Sequence, residues 1–155
     1  VATDERTMRF RHFVPFMLLF AVPLAARVKV GTFGKWAAFC DEPKKCFAIS
    51  EPSERSTHPF LSVAIMGPTL SVQAHLGRSA RAAVLAIGDR QFDLSVADQD
   101  VRADPRTSRR IVAAMRDGET ATIIGTSPQR GRFRHHYLLA GAPSAIDAAA
   151  VAATR

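Results

Sequence analysis

Cysteine is scarce in this chain: among 155 residues there are two, Cys40 and Cys46. They are spaced C-x5-C rather than C-x-x-C, which argues against a thioredoxin-like redox centre. A zinc site needs more ligands, and no histidine or further cysteine stands at finger spacing. The signatures of nucleophilic catalysis are missing too: there is no Gly-x-Ser-x-Gly and no cysteine with a poised base. Gly31-Thr32-Phe33-Gly34 precedes a strand rather than a helix and lacks a Lys-Ser/Thr tail, so it is no phosphate loop. The longest apolar stretch falls well short of the roughly 20 residues that a membrane-crossing helix needs. Internal repeats, low-complexity segments and a dividing linker are also absent.

What is present reads as one folded domain behind a leader. Hydrophobic residues make up 47% of the chain and charged residues 23%, a composition that opposes disorder, and the length bounds the chain at one domain. Residues 1–26 have the three parts of a secretory signal peptide. Met8-Arg9-Phe10-Arg11-His12 is a basic n-region, Phe13 to Val22 an apolar h-region, and Leu24-Ala25-Ala26 precedes the charge at Arg27. Pro15 and Pro23 oppose a buried helix. Met8 is the expected start, cleavage is expected after Ala26, and residues 27–155 are expected as a single β-rich domain in the periplasm or secreted. No stable transmembrane span would remain. Without the leader's Arg6, Arg9, Arg11, Asp4 and Glu5, 18 basic and 12 acidic residues are left, a net charge of +6. The competing expectation is an uncleaved h-region that holds the protein to the inner membrane. In an oxidising compartment Cys40 and Cys46 would clamp the turn Asp41-Glu42-Pro43-Lys44-Lys45, with two free buried thiols as the alternative. So small a loop limits the stabilisation to about 2–3 kcal/mol.

Downstream of Arg27 the pattern is mostly strand. Residues 36–40 and 46–50 flank the Pro43 turn as a hairpin, and residues 60–66 and 69–76 flank Gly67-Pro68. Residues 83–87 and 91–96 are joined by Gly88-Asp89-Arg90. Asp104-Pro105 then supplies an N-cap and a first-turn proline for a helix over about 105–117, stopped at Gly118. Strands follow over 120–126 and 132–139, the second with Phe133, His135, Tyr137 and Leu139 on one face. An Ala-rich helix over about 144–153 ends the chain. About eight short strands and two helices predict a mainly β fold, an antiparallel β-sandwich or barrel-like sheet with helices over an open face or edge.

The candidates for chemistry each have a plainer reading. His135 and His136 invite a metal, but strand neighbours point to opposite faces, so one ion could hardly take both. Arginines cluster at Arg102, Arg106, Arg109 and Arg110 and again at Arg130, Arg132 and Arg134. They suit an anionic surface component or an acidic partner, or are simply solvated. Few aromatic residues lie beside them for stacking, which disfavours nucleic acid. Neither a catalytic residue, nor a metal ligand, nor a cofactor site is expected.

The order of features resembles a known family. Gly31-Thr32-Phe33-Gly34-Lys35-Trp36-Ala37-Ala38-Phe39 follows the leader, and Cys46-Phe47-Ala48-Ile49-Ser50-Glu51-Pro52 comes next. Then come Ile111-Val112-Ala113-Ala114-Met115-Arg116, Phe133-Arg134-His135-His136-Tyr137-Leu138-Leu139-Ala140-Gly141 and Ala145-Ile146-Asp147-Ala148-Ala149. In this order and spacing, over about residues 31–153, the chain resembles a short alphaproteobacterial member of the invasion-associated locus B family. The resemblance implies an exported, β-rich envelope protein with no established enzymatic activity and no cofactor. With the leader, the β-rich pattern and the missing catalytic signature, a non-enzymatic binding or interaction module is expected, its partner an envelope protein or an anionic surface component and its role open to a link with host-cell association. A second cysteine pair found in longer members has no counterpart here. The alternative is an envelope hydrolase built on scattered carboxylates and the His135 region.

Overall fold

The computed structural model describes residues 27–50 and 59–155. The leader expected over 1–26 lies outside the described residues. Ten strands and two helices are present among those described: β1 (Val28–Phe33), β2 (Trp36–Glu42), β3 (Lys45–Ser50), β4 (Phe60–Met66), β5 (Thr69–His75), β6 (Ala82–Ile87), β7 (Arg90–Ala97), β8 (Asp100–Arg102), α1 (Pro105–Asp117), β9 (Thr120–Ser127), β10 (Gly131–Leu138) and α2 (Ala142–Ala152). All strand pairs are antiparallel, in the order β1-β2-β3-β4-β5-β8-β7-β6-β9-β10. The fold is thus mainly β with two helices, as the period of two predicts.

The sheet curls without closing into a barrel. Trp36 on β2 donates its indole N–H to the Leu138 carbonyl on β10, at 2.8 Å, although the two strands stand eight places apart in the sheet order. Only a curled sheet can bring them together. At that seam the backbones nearly touch. A Cβ on Gly34 would come within 2.8 Å of the Ala140 carbonyl oxygen, and one on Gly141 would overlap the Phe33 carbonyl. Gly141 also has φ +90°, which a side chain opposes.

Both helices pack on the inner face of the curl, α1 mainly against β5 and α2 against β1, β2 and β3. Inward-facing Trp36, Leu61, Val63, Leu85, Ile111, Met115, Ile123 and Tyr137 are fully buried, and Ala145, Ile146 and Ala149 bring α2 onto them. Burying such side chains contributes roughly 1.5–3 kcal/mol each, which is the main force holding the curl. Asp104 caps α1 by accepting from the N–H groups of Arg106 and Thr107. The buried Ser108 hydroxyl accepts from the Val72 N–H at 3.0 Å and donates to the Ala103 carbonyl at 3.2 Å. It ties α1 to β5 just where the short strand β8 ends.

Helix α1 has the bounds that its cap signals predict. Helix α2 begins at Ala142 rather than Ser144, because Gly141 takes the cap position and Pro143 fits the first turn. Two strands exceed the expected eight. β1 is an edge strand exposed along much of its length, and the register shift between Lys29 and Gly31 leaves Val30 unpaired. β8 has only three residues.

Candidate functional site

The strand register gathers the polar side chains of distant segments on the outer face. Gln73, His75, Asp100, Arg102, Ser95 and Ala97 alternate with the inward Ala74, Val101 and Val96, so all six project away from the core. Across the ladder they form two adjacent rows. One runs Ser62–Gln73–Arg102–Ser95 and the other Phe60–His75–Asp100–Ala97, each crossing β4, β5, β8 and β7 in turn. Phe60, Gln73, Ser95, Asp100 and Arg102 line a trough of about 500 Å³ over these rows.

The trough has one fixed pair and one unpaired cation. His75 Nδ1 and Asp100 Oδ1 lie 2.8 Å apart, and the imidazole stacks on Phe60 with ring centres 5.8 Å apart. The pair is open to water, with the Asp100 side chain 72% exposed, so its Coulomb energy is well screened. Its stronger effect is geometric, holding the imidazole against Phe60, which lines one end of the trough. Arg102 is exposed and has no ion pair among the described residues. Ser62 in the same row is buried, and its hydroxyl has no hydrogen-bond partner among the described residues.

A second concavity lies at the other end of the sheet. Cys40 and Cys46 face each other across β2 and β3 with Cα atoms 4.0 Å apart and are joined as a disulfide on the inner face. Cys40 lines a cleft of about 620 Å³ with Val28, Val30, Pro43, Ala152 and Arg155. Val28 and Val30 are exposed apolar side chains there, and Val151 is exposed in an adjoining hollow that Val30 also lines.

No family model and no curated protein matches the sequence. Among solved structures, the crystal structure of invasion associated protein B from Bartonella henselae matches with a TM-score of 0.64 at 17% identity. The match covers 83% of this chain and 99% of that one. The fold is that of invasion associated protein B. The family resemblance carried by the order of sequence features therefore extends to the backbone.

On this invasion associated protein B fold the two singled-out histidines separate, as strand geometry requires. His135 is buried with Phe133, Tyr137 and Leu139, and its ring lies against Phe133 at 5.2 Å. His136 faces outward, where its Nδ1 lies 3.0 Å from the Thr122 hydroxyl. No group of three or more potential ligands able to hold a metal ion occurs among the described residues. The arginines do not form one surface. Arg102 is in the trough, while Arg106, Arg109 and Arg110 occupy the exposed side of α1, with Arg110 5.5 Å from the Phe92 ring centre. Arg132 and Arg134 project outward from the edge strand β10. Reading the sequence missed the trough, because its residues come from strands joined only through β8. Asp100-Val101-Arg102 does alternate polar, apolar and polar, but three residues are too short a signal.

Proposed function

We propose that this chain is an exported cell-envelope protein of the invasion-associated locus B type, acting as a non-enzymatic binding or interaction module. The observation that carries the reading is the fold shared with invasion associated protein B over nearly all of that chain. That protein's name says that it is associated with invasion, and a link to host-cell association is the finer part of this reading. The Cys40–Cys46 disulfide supports a place outside the cytoplasm, since such bonds persist in oxidising compartments. No helix among the described residues is long and apolar enough to cross a membrane. The outer trough offers polar groups and a ring wall rather than a base beside a nucleophile, which suits holding a ligand more than cleaving one.

Cell fractionation with mass spectrometry of the N-terminus tests the reading. The expected product begins at Arg27, carries the Cys40–Cys46 bridge and is recovered from periplasm or medium. Recovery of the unprocessed, reduced chain from the cytoplasm would overturn it.

A further inference from the structure

We propose that the outer trough over β5, β8 and β7 binds an acidic oligosaccharide, with Arg102 receiving the carboxylate of a sugar acid. The inference rests on the binding-module reading above and names the ligand class of the same site.

Four observations lead to it. Arg102 offers a planar fork of donors, is exposed, and has no ion pair among the described residues, so a bidentate carboxylate is its natural complement. Gln73 and Ser95, its cross-strand neighbours, can each donate and accept, as sugar hydroxyls do. Asp100 has spent Oδ1 on His75, which leaves Oδ2 to accept from a hydroxyl. Phe60, held in place by stacking on His75, gives the apolar wall against which the C–H face of a sugar ring can lie. Four strands at a spacing of about 4.8 Å make the rows about 14 Å long, enough for a short oligosaccharide rather than one ring.

Competing ligands fit less well. An extended peptide bound by strand addition needs a free ladder edge, but β5, β8 and β7 are paired to one another beneath the trough. Phosphate-rich polymers need several cations, whereas this trough holds one arginine, and the Asp100 carboxylate in the next row would repel a dense run of phosphates.

The test is a titration of the purified protein with trigalacturonate, followed by amide chemical shifts at low ionic strength. Saturable shifts are expected at residues 73–75, 95–97 and 100–102. The galacturonate monomer should bind more weakly than the trimer, which separates polymer recognition from capture of a free sugar acid. Methyl esterification of the trimer and the Arg102→Ala variant should each weaken binding by about tenfold or more. Arg109→Ala, on the exposed side of α1, should leave binding unchanged. A second variant, Ala97→Glu, should abolish binding by placing a like charge in the trough. No saturable shift, equal binding of the methyl ester, equal binding by the monomer, or equal losses in the Arg102 and Arg109 variants would each overturn the proposal. The titration does not involve secretion, so it can fail while processing at Ala26 stands, and the reverse.

Discussion

Asp104 shows how much a single side chain does at the entrance to α1. Its carboxylate takes two backbone N–H groups that the first turn would otherwise leave unpaired. Hydrogen bonds from Thr107, side chain first and backbone second, hold its carboxyl below the ordinary range. Asp147 is lowered as well, chiefly by its hydrogen bond from Arg116, which links α2 to α1. Because both folded-state values lie below the unfolded value of about 3.9, this stabilisation is fully present above that pH. It is lost as pH falls through the depressed values. Thermal melting in a pH series should therefore show a drop below about pH 4. Asp104→Asn keeps an acceptor at the cap without the titration, and its acid limb should be shallower than that of the parent. Identical acid limbs would remove the cap from the explanation. Gly125 illustrates a different constraint: the Phe133 ring lies across it, so even a methyl group would collide. An aromatic ring covering a strand glycine restores the packing that the glycine lacks.

At the scale of elements, the seam between β2 and β10 is the feature most open to test. Trp36→Phe keeps a ring in the core but strands the Leu138 carbonyl and leaves a void. A loss of about 2–4 kcal/mol in denaturant midpoint measurements is expected, and a near-neutral result would mean that the seam is held by packing alone. Elements were legible in the sequence where local rules decide them. The turns Gly67-Pro68 and Gly88-Asp89-Arg90, with period-two alternation over residues 69–76, marked β4 to β7, and Asp104, Pro105 and Gly118 marked both ends of α1. β1 was hidden because an edge strand exposed along much of its length has too few buried positions to alternate, and Gly31 interrupts it. The candidate site was hidden for a related reason. His75 and Asp100 are 25 residues apart, and their meeting depends on β8 entering the sheet between β5 and β7, a choice made by packing rather than local pattern. The disulfide was legible because its six-residue spacing fits one hairpin.

For the whole molecule, the disulfide and the two sheet edges set the conditions of stability. Replacing both cysteines by alanine should lower unfolding free energy by about 2–3 kcal/mol, and adding reductant to the parent should approach the same midpoint. A midpoint insensitive to both would show that the β2–β3 hairpin needs no clamp. The edge strand β10 carries Arg132 and Arg134, charges of the kind that discourage pairing between chains.

The packing of α2 also governs when the domain can form. The helix made last covers β1, β2 and β3, which are made first, and Trp36 waits for a carbonyl 102 residues later. Such non-local contacts require long loops to close before they stabilise anything, so folding is slow to complete. Until the final turn of α2 leaves the ribosome, the first three strands have no lid. Burial of the earliest strands therefore waits on the latest helix, so the two ends of the described chain mature together.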